Sequence, residues 1–221
     1  MKLLHINCSP KKKKSNTYKL AKTFLEGYLK EKPLQIEEVF LYDLNIEFCT
    51  GCLYCMRSGK PCPLEDDTAL LVEKIENSDI LLWNIPHLGP GGVPSKLKVL
   101  LERICNTGAL FYKEDSPIKD NNILIMGCGH PLQEDVKDLE EIEKIFKKNF
   151  GVLSFLIIPE ADLLTFYPDD YHTKRLLKRV KKTGALFAKD RDISKFQELL
   201  KDPIIESKIY IDKYLKPLKI N

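Results

Sequence analysis

Apolar residues fall in five short runs, at 3–7, 36–41, 80–84, 123–127 and 152–158, each bounded by turn residues. Runs of this length and character predict strands buried on both faces. The stretches between them change period. Ala21, Phe24, Leu25 and Tyr28 recur at i, i+3, i+4, i+7, as do Leu97, Leu100, Leu101 and Ile104. Leu139, Ile142 and Phe146 continue the pattern, and Leu176, Leu177, Val180 and Phe187 repeat it. These spacings put the apolar side chains on one helical face. Start signals agree: Ser15 or Asn16 can cap the first helix, Asp66 or Asp67 a second, and Pro94 suits the first turn of a third.

Strands that alternate with helices predict a doubly wound parallel sheet, because each right-handed crossover needs a helix. Five strands predict the order 2-1-3-4-5. The chain of 221 residues suits one such domain, over 1–190, followed by a tail at 191–221. The tail reads as one or two short amphipathic helices, broken by Pro203 and Pro217, that pack on the domain or on a second subunit. No internal repeat is present.

Composition narrows the picture. With 43% hydrophobic and 30% charged residues, the chain can build a core and is not of the disordered class. The net charge of +3 makes no case for nucleic acid, and the lysines at 11–14 and around 174–182 read as solvated faces. No apolar run approaches the roughly 18 residues of a membrane helix. Leu3 and Leu4 follow Lys2, but His5 and Asn7 interrupt them too soon for a signal peptide, so the expected location is the cytoplasm. Seven cysteines is an odd number, and four of them lie between 49 and 62. A secreted disulfide framework is even and spread out; in a reducing compartment a cluster serves metal or redox chemistry.

The first loop runs Asn7-Cys8-Ser9-Pro10, then Lys11 to Lys14, and enters a helix through Ser15-Asn16-Thr17. A helix N-terminus presents unpaired N–H groups at the positive end of its dipole. Ser9, Ser15, Asn16 and Thr17 add small polar side chains and the lysines add charge, which suits a terminal phosphate monoester. Neither a Walker loop nor GxGxxG is present. Ser9-Pro10, a basic residue, and Ser15-Asn16-Thr17 resemble the phosphate loop of flavodoxin-like NAD(P)H-dependent FMN reductases, with Lys11 where that family has arginine. The resemblance covers most of 1–190 and implies a flavodoxin-like fold with FMN at the carboxyl edge of the sheet.

Two further loops leave that edge. After the third strand come Asn84-Ile85-Pro86-His87-Leu88-Gly89-Pro90-Gly91-Gly92-Val93-Pro94. In the family this loop reads Pro-x-Tyr, with Leu-Lys and Asp-Arg on the following helix. Here Leu97-Lys98 and Glu102-Arg103 match, while His87 or Leu88 takes the place of the aromatic. After the fourth strand, Gly127-Cys128-Gly129 lets the main chain pass close to a flat ring, and in the family it flanks the isoalloxazine. The resemblance thus implies flavin contacts from Pro86, His87, Leu88, Gly89, Gly127, Cys128 and Gly129.

Cys49, Cys52, Cys55 and Cys62 are spaced 2-2-6, with Gly51 giving the turn its freedom. Four thiolates so spaced can close a [4Fe–4S] cubane. A four-thiolate zinc site and metal-free thiols are the alternatives. Cys8 and Cys105 read as packing residues. The run, at 47–63 after the second strand, resembles the compact motif of iron–sulfur flavoproteins, a branch of the same family. In that branch such an insertion reaches the flavin of a neighbouring subunit, implying a homodimer or homotetramer. The implied function is an FMN-dependent oxidoreductase exchanging electrons with ferredoxin, or with NAD(P)H if no cluster is held. A non-enzymatic flavodoxin-like electron carrier is the alternative from another class.

Overall fold

Five parallel strands, β1 (Lys2–Asn7), β2 (Gln35–Phe40), β3 (Ile80–Pro86), β4 (Asn122–Gly127) and β5 (Leu153–Ile158), pair in the order β2-β1-β3-β4-β5. That is the order the alternation predicts. The computed structural model describes residues 1–60, 62–88, 92–106, 122–127, 141–142, 144, 153–158 and 161–190. Asn7 lies opposite both Phe40 and Asn84, Pro86 opposite Gly127, and Gly127 opposite Ile158. All carboxyl ends therefore open on one edge.

Observed strand limits fall within two residues of the predicted runs. Just beyond the end of β1, Cys8 N bonds to Asn84 O, and β3 ends at Pro86, which has no N–H to continue the ladder. One expectation is corrected. β2 is not buried on both faces: Gln35 is exposed, Ile36, Glu37, Glu38 and Phe40 are half-buried, and Val39 alone of the strand is buried. It is an outer strand of the sheet, with nothing paired beyond it among the described residues.

The helices are α1 (Asn16–Leu29), α2 (Tyr54–Ser58), α3 (Thr68–Glu76), α4 (Ser95–Asn106), α5 (Leu163–Phe166) and α6 (Tyr171–Lys189). Side chains alternate across the strands and feed two cores. Leu4, Ile6, Leu81, Trp83 and Ile85 pack with Leu71 and Ile75 of α3 and Leu97, Leu100 and Ile104 of α4. Leu3, Ile80 and Leu82 pack with Leu20, Ala21, Phe24 and Leu25 of α1 and Val180 and Phe187 of α6. The helical faces read from the sequence are the buried ones, although Leu139 and Phe146 lie outside the described residues, as does the tail at 191–221.

Capping shows which polar residues start the helices. Ser15 caps α1, its Oγ accepting from Tyr18 N at 3.1 Å. For α3 the work is divided: Asp66 Oδ1 accepts from Thr68 N at 2.9 Å, while Asp67 Oδ2 takes Asn45 N at 2.6 Å. Pro94 precedes α4 and its carbonyl accepts from Lys98 N.

Candidate functional site

At the end of β1 the chain turns into a 3-10 turn, Lys12–Lys14, and then into α1. Asn7 Oδ1 accepts from Ser9 N at 2.9 Å, and Ser9 Oγ from Lys11 N at 3.2 Å. Lys12 takes a left-handed backbone, φ 48°, which turns the lysine run outward. Its ammonium pairs with Asp43, and Lys13 lies over the Phe40 ring at 5.7 Å. Lys11 is exposed, with its ammonium unpaired among the described residues. At the helix start, Ser15 Oγ and Ser15 O take the N–H groups of Tyr18 and Lys19. The N–H groups of Asn16 and Thr17 have no such partner among the described residues.

Ser9, Ser15, Asn16 and Thr17 therefore surround one turn of chain, as the sequence predicts. Ser9, Ser15 and Thr17 are buried; Asn16 is half-buried and its Oδ1 accepts from Thr165 Oγ1 at 3.0 Å. Beneath the turn, Asn84 Nδ2 donates to Asn7 Oδ1 and to Thr17 Oγ1, each at 3.2 Å. Asn7 Nδ2 is enclosed and has no acceptor among the described residues. An enclosed donor without a partner is costly, and a bound ligand or an ordered water can complete the set. Two free helix N–H groups and this amide fit a phosphate monoester.

The next loops leave the same edge. Pro86 and His87 are half-buried and Leu88 is exposed, just past the end of β3. Gly127 ends β4 directly opposite Pro86. Gly89, Cys128 and Gly129 lie outside the described residues.

The cysteine segment joins β2 to α3. Gly51 and Gly59 hold positive φ of 66° and 65°, and Leu53 does so at 58°. Leu53 is a bulky residue in a conformation that costs it roughly 1–2 kcal/mol. These reversals bring Cys49, Cys52, Cys55 and Cys62 around one small cavity of about 30 Å³. Cys55 is buried and Cys52 exposed. The backbone N–H of Tyr54, then the Thr50 side chain, lower the pKa of the Cys52 thiol. The thiols match a four-thiolate cluster in kind and number. As they stand, no three His, Cys, Asp or Glu side chains among the described residues are grouped to hold a metal ion.

Arg103 closes the back of this cavity. Its Nη1 donates to Asp66 Oδ2 at 2.5 Å and to Glu47 O at 2.9 Å, and its Nη2 to Asp66 Oδ1 at 3.3 Å. Asp66 Oδ2 also accepts from Glu47 N at 2.8 Å. Burial opposes the Arg103 charge, but Asp66, followed by Cys62, outweighs it and raises the guanidinium pKa. Burial likewise opposes the Asp66 carboxylate, and bonds from Arg103, Glu47 and Thr68 hold its pKa below the usual value. Cys8 is fully buried in the α3–α4 core and burial pushes its thiol well up, which fits the expected packing role. The Cys105 side chain lies outside the described residues.

A doubly wound sheet whose first βα turn presents free donors, with two more loops on the same edge, defines the class of α/β proteins that bind a phosphorylated ligand at the switch point. The chain belongs to the family of flavodoxin-like fold, whose model matches residues 1–175. An iron-sulfur flavoprotein of Methanocaldococcus jannaschii is 32% identical over 103 residues, 47% of this chain and 51% of the relative. An FMN-dependent NADH:quinone oxidoreductase of Pseudomonas fluorescens is 27% identical over 120 residues, 50% of this chain and 55% of the relative. The chain thus spans about half the length of the curated relatives it matches. Among solved structures, an FMN-dependent NADH-azoreductase of Bacillus anthracis in complex with FMN shares the fold, with TM-score 0.62 and 20% identity over 85% of this chain and 99% of the other. So does an NAD(P)H:quinone oxidoreductase of Methanothermobacter marburgensis, with TM-score 0.63 and 21% identity over 84% and 98%.

Sequence reasoning missed the residues behind the loops. Asn7 entered only as a loop residue, and Asn84 and Asp66 only as strand and capping residues. Arg103 entered only as part of a matching dipeptide. The available signal was the change from apolar to polar along one strand face: Leu3, His5, Asn7 in β1 and Ile80, Leu82, Asn84 in β3.

Proposed function

We propose that the chain is an FMN-dependent oxidoreductase passing electrons between a nicotinamide nucleotide and a quinone- or azo-type acceptor. One observation carries the reading: three donors, Asn16 N–H, Thr17 N–H and Asn7 Nδ2, are left without acceptors among the described residues at the first βα turn. The names of the relatives support the choice of FMN and of these substrates. When bound, FMN supplies the redox chemistry itself; the protein orients it and tunes it. Ser9, Ser15, Asn16 and Thr17 would hold the phosphate, with Lys11 adding charge. Pro86, His87, Leu88 and Gly89 on one side, and Gly127, Cys128 and Gly129 on the other, would flank the ring. No side chain need act as nucleophile or base.

The test is the flavin itself. Protein denatured after purification or reconstitution should release FMN and no FAD, and the loaded protein should oxidise NADH or NADPH when a quinone is present. A chain that takes up no flavin overturns the reading. A loaded chain that exchanges single electrons but oxidises no nicotinamide nucleotide is the electron carrier instead.

The finer reading is that Cys49, Cys52, Cys55 and Cys62 hold a [4Fe–4S] cluster, with ferredoxin as exchange partner. The four thiols on one cavity and the iron-sulfur flavoprotein among the relatives support it. The reading extends to a homodimer or homotetramer joined through this segment. Phe48, Leu53, Tyr54 and Met56 expose 73, 45, 42 and 65% of their surface within nine residues of chain, a patch suited to a second copy. The proposed location is the cytoplasm. No helix among the described residues is long and apolar enough to cross a membrane.

A further inference from the structure

Hydrogen bonds under the first loop form one chain whose donors and acceptors can be assigned from a fixed starting point. Ser9 N–H can only donate, so the Asn7 atom facing it at 2.9 Å is the carbonyl oxygen. That oxygen also faces an Asn84 atom at 3.2 Å, which must then be the amide nitrogen. The same nitrogen reaches Thr17 Oγ1 at 3.2 Å, so both its hydrogens are used. The Asn84 oxygen is left facing His5 Nε2 at 2.5 Å, and His5 Nε2 must be a donor. On the other side of the ring, Nδ1 faces Glu38 Oε1 at 3.2 Å.

Glu38 is ionised: the His5 hydrogen bond first, then Lys22, with Tyr18 adding a weaker bond, outweigh burial and bring its pKa to about 2. A carboxylate accepts and cannot donate. Glu38 therefore holds the outer ring nitrogen of His5 while Nε2 donates to Asn84. Tyr18 fixes the ring from above, stacked at 5.6 Å with 15° between planes, while its hydroxyl donates to Glu38 at 3.2 Å. Lys22 Nζ approaches the same carboxylate at 3.5 Å. The inner members of the relay are closed off from solvent, with His5 and Asn84 at 0% and Asn7 at 1% exposure, while Glu38 is half-buried.

We propose that Glu38 and His5 are positioning residues for the phosphate loop: His5, held by Glu38 and donating from Nε2, locks the Asn84 amide in the one orientation that fixes Asn7 Oδ1 and Thr17 Oγ1. The inference rests on the reading of the loop as a phosphate site and deepens it. If the Asn84 amide turned over, its oxygen would face Asn7 Oδ1, and the turn at Ser9 and the start of α1 would lose their shared anchor. Low surrounding dielectric makes such a relay matter when complete and costly when broken. Its product is the placement of the free donors, Asn7 Nδ2 and the N–H groups of Asn16 and Thr17. The ligand class is a phosphate monoester, and nothing in the relay addresses a ring.

Riboflavin differs from FMN in lacking that phosphate, so the ratio of the two dissociation constants reads the loop alone. In His5→Phe, which keeps a ring against Tyr18 but no donor, FMN affinity should fall by about tenfold or more, while riboflavin affinity changes by less than about twofold. Glu38→Gln, on the half-buried outer strand, should move the ratio in the same direction by a smaller factor and guards against a His5 variant that fails to fold. In 15N-labelled unliganded protein His5 Nε2 should carry a proton protected from exchange, and that protection should weaken in Glu38→Gln. Equal losses of FMN and riboflavin, or no change in either, overturn the positioning role, as does a wild-type His5 with no proton on Nε2. Wild-type protein that binds neither flavin overturns the cofactor reading instead, and the His5 Nε2 proton still decides the relay.

Discussion

Arg103 and Asp66 form a two-pronged ion pair at 2.5 and 3.3 Å, with side-chain exposures of 1 and 0%. Arg103 comes from α4, and Asp66 from the residues just before α3. Between them they hold both backbone groups of Glu47, one through Arg103 Nη1 and one through Asp66 Oδ2. Glu47 opens the cysteine segment and Asp66 follows its end. The pair therefore pins both ends of a segment that has little core of its own, and ties it to the helix after β3.

Breaking one side of a buried pair leaves an uncompensated charge, at roughly 3–5 kcal/mol. Arg103→Met should lower unfolding stability by about that much in urea titrations. The double variant Arg103→Met with Asp66→Leu should recover a large part, because no charge is stranded. Buried Cys55 should also react faster with a thiol reagent in the single variant, since the segment around it loosens. A single variant as stable as the wild type would mean the pair is hydrated in solution.

Gly27 of α1 and Gly184 of α6 meet backbone to backbone. A Cβ on Gly184 would stand 1.9 Å from Phe24 O, and one on Gly27 would stand 1.9 Å from Lys181 O. Backbone cannot swing aside as a side chain can, so either alanine pushes the helices apart. Gly184→Ala should cost about 1–3 kcal/mol or more, although alanine favours a helix. Lys182→Ala, on an exposed position of the same helix, should stay within about 0.5 kcal/mol. Thermal unfolding of the two variants separates crossing geometry from propensity.

How far the sequence reaches can be argued from these pairs. Strand order was legible because parallel strands are short apolar runs and each crossover must be a helix. Ser15 was legible because a cap is a local signal, and the cysteine segment because its spacing is. Gly27 and Gly184 were not, since a glycine within a helical pattern does not say which distant backbone approaches it. Arg103 and Asp66 lie 37 residues apart and meet only because α3 and α4 pack side by side. His5 looked like an interruption of an apolar run. Its purpose depends on register, which places Glu38 opposite it and Asn84 opposite Asn7. The outer position of β2 was implicit in the predicted order, yet judging the run alone made it look doubly buried.

Glu38 should give the fold a measurable acid dependence. Its pKa is lowered from 4.5 to about 2, chiefly by the hydrogen bond from His5. A depressed carboxyl contributes stability that is fully present above its unfolded value and is lost as pH falls through the folded value. The wild type should therefore be more stable than Glu38→Gln at pH 6, and the difference should shrink between about pH 4.5 and 2. Other carboxylates titrate in both proteins, so subtracting the two urea curves isolates this one. A difference constant with pH would show that Glu38 does not hold His5 as described.

The cysteine cavity carries the last prediction. Four thiols reach one cavity, and Arg103 places a fixed positive charge at its wall. Cysteine side chains beside a cation, in a segment pinned at both ends, are a setting in which a cluster of net negative charge is stabilised. Protein prepared and reconstituted without oxygen should then contain about four irons and four sulfides per chain, with absorbance extending beyond the flavin bands. Cys52→Ser should remove the iron. It should leave FMN bound, because the phosphate loop follows β1 and rests on Asn7, Asn84 and Thr17, which hydrogen-bond to one another and to Ser9. Arg103→Lys keeps the charge but not the fork that holds Asp66 and Glu47, so it should retain iron at lower yield. Iron-free wild-type protein after anaerobic reconstitution, with full reduction of its flavin by NADH or NADPH, would assign the four cysteines to thiol chemistry without metal. Loss of both iron and FMN in Cys52→Ser would mean that the two sites do not fold independently.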